Sequence, residues 1–423
     1  MTPASTPPQI EALQSVTAEQ VEAIARQYGT PVFVYSEAIL LSRAKQALAF
    51  AAPYGLTVRY AMKANPLAAI LRLLDQAGLH IDASSGNEAH RAITAGIAPE
   101  HIMITSQQIP DDLAYLVLQG VIFNATSLYQ LECYGRQFPG SNVSVRLNPG
   151  IGSGHSRKTN TGGPASSFGI WHEDIPEVKR ISADYNLTVT RIHTHIGAGT
   201  DPKIWHEAAR LTLDLAEHFS AVTTINLGGG FKVARMSYEE ATNLVVISAG
   251  IAKLIEAFAQ QTGRRLHLEI EPGTYLTANA GALITRVIDC TSTGAAGYNF
   301  LKLDCGLTEI MRPSLYGAQH PIIILNTRHS SPTPYIVVGH TCESGDLLTP
   351  EPGQADIPAE RLLQHASIGD VAVIEGVGAY CASMSAKGYN SFPDTPEIML
   401  SSSGETKLAR RPFTSAEIIA REL

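Results

Sequence analysis

Charge is scarce in this 423-residue chain: Asp, Glu, Lys and Arg make up 17% of it, against 44% hydrophobic residues. Lys and Arg number 31 against 39 acidic residues, a net charge of −8 with no dense basic stripe, so a nucleic-acid partner is not expected. The one local basic run, residues 155–158, reads either as a solvated loop or as a loop that contacts an anion. Long apolar runs are missing as well. No stretch is read as approaching the roughly 18 residues that a membrane-spanning helix requires. The opening MTPASTPPQI has no basic cluster followed by an apolar core, so it reads as a loose terminus, and the expected location is the cytoplasm. Cysteine is sparse: five residues, an odd number, scattered without CxxC spacing, fit reduced thiols better than a disulfide framework.

What the chain does have is a period. Short β-branched runs that end in polar or glycine residues alternate with helical stretches. The runs are LTVRYAMK (56–63), LHIDASS (79–85), HIMITS (101–106), VIFNATS (121–127), VSVRLNPG (143–150), VTRIHTHIG (189–197), TTINLGGG (223–230) and LHLEIEPG (266–273). The stretches 66–77, with Pro66 in a first-turn position, and 239–262 read as two of the helices between them. Eight βα units predict an α/β fold with a closed (β/α)8 TIM-type barrel over residues 36–276, whose site lies at the carboxyl ends of the strands. Beyond residue 273 the texture changes to short strand-like runs between Gly/Pro turns, with one clear helix at the C-terminus. This predicts an antiparallel β domain over 277–423, joined by the N-terminal segment 1–35 through the strand-like PVFVY (31–35).

The unusual residues cluster where such a barrel keeps its chemistry. Lys63, Ser84, Asn148, His195, Gly228, Gly229, Gly230 and Glu271 each fall at or just past the end of a run. Lys63 ends a strand expected to be buried, where a desolvated amine is a candidate nucleophile, the other reading being a solvated lysine at the rim. The three glycines after the seventh strand read as a plain turn or as a backbone cradle for phosphate, a position barrels of this kind favour. Glu271 is a carboxylate held by the turn that follows it. A lysine, a phosphate cradle and an acid together suit pyridoxal phosphate, which needs a partner for its aldehyde, its phosphate and its ring nitrogen. His193 and His195 share one strand face and read as packing or ring-stacking groups, a metal role lacking a third ligand. The glycine-rich loop 151–169 reads as a lid or as a mobile segment.

With those residues in place, YAMKAN (60–65), KTNTGG (158–163), HTHIGAG (193–199), NLGGG (226–230), EPG (271–273), MRPSLYGAQH (311–320), CESGD (342–346) and GAY (378–380) form an ordered set over roughly residues 30–410. The chain resembles the alanine-racemase-fold, pyridoxal-phosphate-dependent decarboxylases, and within them the diaminopimelate decarboxylase family. The resemblance implies a carboxy-lyase that converts meso-2,6-diaminopimelate to L-lysine and CO2, working as a homodimer with shared sites. By the same resemblance Lys63 is the Schiff-base lysine and His195 the ring that stacks on the cofactor. Gly228, Gly229, Gly230, Glu271, Gly273 and Thr274 hold the phosphate and the ring nitrogen, and Tyr380 closes over the site. Cys342 is the proton donor, supplied across the dimer interface. Arg312 and Tyr316 bind the distal carboxylate, Glu343 the distal ammonium, and Arg146 and Asp82 pair beneath the cofactor or form a structural ion pair. Two positions depart from the family pattern. Thr274 stands where relatives have an arginine for the distal carboxylate, a loss of about 1.5–3 kcal/mol unless another cation such as Arg157 or Lys158 replaces it. Ala198 stands where relatives often have a phosphate-binding serine, a contact that backbone amides can replace. The alternatives are a same-family decarboxylase of another diamino acid or siderophore precursor, and a non-catalytic regulatory relative, which should have lost Lys63 or Cys342.

Overall fold

The computed structural model describes residues 10–152, 161–326, 331–420 and 422. These described residues divide into two compact units, one drawn from 41–232 and 240–276, the other from 10–40, 233–239 and 277–422.

The first unit is a closed parallel barrel. Its strands are β1 (Leu56–Ala61), β2 (His80–Ala83), β3 (Ile102–Ile104), β4 (Ile122–Ala125), β5 (Asn142–Asn148), β6 (Thr188–His193), β7 (Thr224–Asn226) and β8 (His267–Ile270). Each is hydrogen-bonded to its neighbour in parallel register, and closure comes from Leu268 opposite Leu56 where β8 meets β1. A two-residue strand, Ile170–Trp171, pairs in parallel with the last two residues of β5, Leu147 and Asn148. The return helices start on side-chain caps that sequence chemistry prescribes: Ser85 accepts from the Glu88 amide, Ser127 from Gln130 and Asn243 from Val246.

Three expectations shift here. Pro66 lies ahead of the helix Ala68–Gln76, whose N-cap is Leu67, because the preceding Asn65 side chain accepts from the Leu67 amide and sets the entry turn. The helix expected from 239 begins at Leu244, because Asn243 supplies the cap while Glu239 accepts from the amides of Arg235 and Met236 in a separate turn. That helix, Leu244–Thr262, has a mean hydropathy of 1.3 over an 18-residue window, so one described helix is long and apolar enough by composition to cross a membrane. Its Leu244, Ile247, Ile251, Ile255 and Phe258 recur at helical spacing and are buried, and it packs beside Pro202–Glu217.

The second unit is built on the strand Val32–Ser36, buried along its whole length. It pairs antiparallel with Gly281–Ser292 and parallel with Glu397–Leu400. Gly281–Ser292 pairs in turn with Asn299–Leu303 and with Val371–Glu375, and the latter with Ile322–Leu325. The sheet is antiparallel in the main, with a second parallel pairing between Asn299–Leu303 and Thr333–Val338. A helix that the sequence reading did not foresee, Ala18–Tyr28, opens on a Thr17/Gln20 capping box and lays Val21 and Ile24 on the core of Val34, Ile284, Val373 and Ile398. Two such side chains fully buried contribute about 1.5–3 kcal/mol each. A second unforeseen helix, Arg312–Tyr316, starts with Pro313 in its first turn and ends at Gly317 in the left-handed region.

Candidate active site

Two carboxylates two residues apart, Glu269 on β8 and Glu271 just past its end, project to the same side, and both are buried in the barrel. Glu269 takes Arg59 Nη2 at 2.8 Å and Arg191 Nε at 3.1 Å. Burial alone would raise its pKa, but the two guanidiniums overcome that and hold it below the ordinary carboxylate value. Asn226, at the end of β7, links this pair to the next layer: its Nδ2 lies 3.2 Å from Glu269 Oε2 and 2.8 Å from Glu271 Oε1. His193 Nε2 completes the shell of Glu271, 3.0 and 3.1 Å from its two oxygens. Against the penalty of burial, His193, His195 and Lys63 hold Glu271 down to about 2. An ionised carboxylate only accepts, so His193 Nε2 carries a proton and donates. His193, expected to pack or stack, is therefore the group that keeps Glu271 an anion.

Around that anion stand the other barrel residues the sequence singled out. Lys63 is exposed, not buried as expected, because β1 ends at Ala61 and a short 3-10 turn, Met62–Ala64, carries the side chain out of the strand line. Its charge lowers the pKa of Glu271, Asp82 and Glu88 and so marks it as their neighbour. His195 is kept neutral by enclosure and by the cations Arg146 and Lys63, and its buried Nδ1 has no hydrogen-bond partner. Asp82 is raised well above its ordinary value by burial and by Glu271, and its Oδ1 is likewise unpartnered. Arg146 makes no ion pair with Asp82, so the expected pairing is not formed. Its guanidinium instead lies 5.1 Å over the Phe168 ring and reaches the Thr161 carbonyl at 3.4 Å.

The glycines have local reasons for being glycine. Gly228 and Gly230 sit at φ +68° and +104°, and a Cβ on Gly229 or Gly230 would meet the carbonyl oxygen of Glu271 at 2.2 Å or of Gly197 at 1.7 Å. The Gly228 amide donates to Asn226 Oδ1 at 2.8 Å, whereas among the described residues the Gly229 and Gly230 amides have no protein acceptor. A Cβ on Gly273 would come 3.2–3.3 Å from Ala64 and Ala61, and Thr274 opens the one-turn helix Thr274–Thr277. Asn148 clamps backbone instead of facing a ligand, bonding Gly163 from both ends of its amide at 2.9 and 3.0 Å. The Ser84 amide donates to Glu88. Arg157 and Lys158 lie outside the described residues.

The second unit holds the remaining candidates. Arg312 Nε donates to His320 Nε2 at 3.4 Å, and Tyr316 lies on the same short helix. Cys342 and Glu343 are exposed, and the Cys342 amide donates to Asn390 Oδ1 at 3.0 Å. Asp346 braces that loop from below, accepting from Leu307 and from both the amide and hydroxyl of Thr341. Tyr380 stands at φ +56°, a conformation that costs a bulky residue about 1–3 kcal/mol and clusters at functional sites.

The barrel thus presents a buried anion, a neutral ring with a sealed unpartnered nitrogen, two amides without acceptors and an exposed amine. That donor set fits pyridoxal phosphate, whose ring nitrogen, phosphate and aldehyde need those partners. Comparison with known proteins agrees. Residues 40–278 match the family model for the pyridoxal-binding domain of pyridoxal-dependent decarboxylases. The diaminopimelate decarboxylase of Escherichia coli K12 is 34% identical over 419 residues, 96% of this chain and 97% of that protein. A crystal structure of a diaminopimelate decarboxylase superposes with a TM-score of 0.90 at 33% identity, covering 98% of this chain and 99% of its own. The Helicobacter pylori diaminopimelate decarboxylase complexed with L-lysine superposes with a TM-score of 0.83 at 26% identity, covering 95% and 98%. On the matched barrel and on identity sustained from end to end, the chain belongs to the pyridoxal-dependent decarboxylases, in the diaminopimelate decarboxylase family.

Proposed function

We propose that this chain removes one carboxylate of meso-2,6-diaminopimelate, releasing CO2 and leaving L-lysine. The observation that carries the proposal is Glu271, an anion kept buried by His193 and Asn226 where a pyridine nitrogen must be held protonated. Pyridoxal 5'-phosphate, the cofactor of the family, supplies an electron sink for the pair of electrons freed when the carboxylate leaves.

The chain's own groups divide the remaining work. The Lys63 amine holds the cofactor through its aldehyde, and the neutral His195 ring stacks on it. Gly228, Gly229, Gly230, Gly273 and Thr274 supply the phosphate seat, with the two acceptor-free amides as its donors. Cys342 Sγ gives its proton to the carbon that loses the carboxylate. Its exposure on the single chain is what a residue offered to a second copy requires, so the proposed assembly is a homodimer with Cys342 and Glu343 shared across the interface. Arg312 and Tyr316 take the distal carboxylate, Glu343 the distal ammonium, and Tyr380 closes the site. A substrate with an amino-acid group at each end requires a cation and an anion at its far end. Five unpaired cysteines favour a reducing, cytoplasmic setting for it.

Thr274 favours one second reading, a decarboxylase of another diamino acid. Measuring CO2 release from a panel of diamino acids separates the two: the expected outcome is turnover of meso-diaminopimelate, and turnover of another acid without it refutes the assignment. The purified protein should absorb visible light through its lysine-bound cofactor, and Lys63→Ala should lose that band while remaining folded, since Lys63 is exposed.

A further inference from the structure

Arg235 belongs to the short segment 233–239 that packs within the β unit. Its residue surface is only 8% exposed. Nε donates to the Gly376 carbonyl at 2.9 Å, while the buried Nη2 has no partner. Gly376 is at φ +70°, and a Cβ there would come 2.9 Å from Arg235 Cγ, so the chain leaves room for this side chain to pass. Its charged and titratable neighbours are Arg312, Tyr380, Cys381 and Glu239.

None of these makes an ion pair with the Arg235 guanidinium. Glu239 Oε2 is engaged by the backbone amides of Arg235 and Met236 at 2.7 and 3.2 Å. The buried Glu375 is engaged by the amides of Gln14 and Ser15 and by the Ser15 hydroxyl. His320 adds no anion: its Nδ1 lies 3.1 Å from the Glu375 carbonyl and therefore donates, which leaves Nε2 as a neutral acceptor for Arg312. Among the described residues neither guanidinium makes an ion pair with a carboxylate. Burial and then Arg312 lower Arg235 to about 9. A buried guanidinium with an unpartnered Nη2, set beside the half-buried guanidinium of Arg312, is costly to maintain, and a bound anion would relieve that cost. A carboxylate matches the planar fork of each.

We propose that Arg235 is the second cation for the distal carboxylate of the substrate, acting beside Arg312. The proposal rests on the function proposed above and names the specificity determinant that Thr274 leaves missing. A merely structural Arg235 would need only the Nε bond to Gly376, which gives its unpartnered Nη2 no purpose.

L-lysine and 1,5-diaminopentane differ only in the carboxylate at issue, so their affinities isolate the effect. Both are titrated into the holoenzyme, followed by the cofactor's visible absorbance, for wild type, Arg235→Met and Arg235→Lys. Expected is a loss of about 10- to 100-fold in L-lysine affinity for Arg235→Met, a smaller loss for Arg235→Lys, and diaminopentane unchanged in both. Equal losses for the two ligands, or no loss for either, would overturn the proposal. If Arg235→Met does not fold, Arg235→Lys still decides, since it keeps the charge and loses the fork. Wild-type CO2 release from meso-diaminopimelate is measured alongside. Where it occurs and Arg235→Met still discriminates the ligands, this inference alone falls; where it does not occur, the functional proposal falls and this one with it.

Discussion

His193→Phe keeps an aromatic ring in the barrel and removes both contacts, at 3.0 and 3.1 Å, that hold Glu271 ionised. Glu271 sits at about 2 against a reference of 4.5. The difference, at about 1.4 kcal/mol per pKa unit, corresponds to about 3 kcal/mol of stabilisation. A depressed folded pKa contributes stability that is fully present above the unfolded value and is lost as pH falls through the folded one. The wild type should therefore lose this contribution between about pH 4.5 and pH 2. In the variant, burial is opposed only by the 2.8 Å Asn226 contact and the Lys63 charge, so the carboxyl takes up a proton far more readily. Denaturant unfolding at pH 7 should show a loss of about 3 kcal/mol, with a flatter acid limb, and on the proposed role of Glu271 kcat should fall about 100-fold as the anion for the ring nitrogen is lost. His193→Gln, which restores a neutral donor, should recover part of both. An unchanged unfolding midpoint at pH 7 together with an unchanged acid limb would refute the assignment of His193 as the group that holds Glu271.

Gly230→Ala should be among the most damaging single methyl additions in the barrel, since its Cβ would lie 1.7 Å from the Gly197 carbonyl oxygen at a φ of +104°. A loss of about 3 kcal/mol or more is expected from backbone strain and overpacking together, read as a lowered melting temperature. Cys342→Ala should lower kcat about 100-fold, the range of a lost general acid, with little change in KM, and solvent proton incorporation into product should slow in parallel. Asn390→Ala removes the acceptor for the Cys342 amide. It should reduce kcat by less than Cys342→Ala does, and a reduction as large would assign the loop's position, not the thiol, as the decisive feature.

The barrel was legible because its signals are local. Each strand is a short β-branched run, and Ser85, Ser127 and Asn243 announce the helices that follow within a few residues. The Thr17/Gln20 capping box is equally local, so Ala18–Tyr28 could have been found from it. What stayed hidden depends on partners far along the chain. His193 reads as a packing residue until Glu271, 78 positions away, folds against it. Arg235 gives no signal at all, because the Gly376 carbonyl it bonds is 141 positions away. Of the two readings of Lys63, a desolvated strand-end amine and a solvated rim lysine, its exposure on the Met62–Ala64 turn agrees with the second. The three glycines read as a plain turn or as a phosphate cradle, and sequence alone does not show that positive φ at Gly228 and Gly230 and the carbonyls beside Gly229 and Gly230 already require glycine.

The two departures from the family pattern differ in physical kind, and that decides which one bears on specificity. Ala198 replaces a hydroxyl whose service to a phosphate any free amide can perform, and the Gly229 and Gly230 amides have no protein acceptor among the described residues. Thr274 replaces a charge, and a neutral group cannot substitute for a charge in a desolvated pocket. Either the cation re-enters from another element or the ligand lacks the anion that needed it. The Arg235 and Arg312 guanidiniums, which make no ion pair with a carboxylate among the described residues, favour the first outcome, because a chain selected for a ligand without a distal carboxylate would carry the buried, unpartnered Nη2 of Arg235 to no purpose. The neutral His320 sharpens the point: a carboxylate at that position would have neutralised Arg312 permanently, whereas an uncharged acceptor orients it and leaves its charge for a ligand.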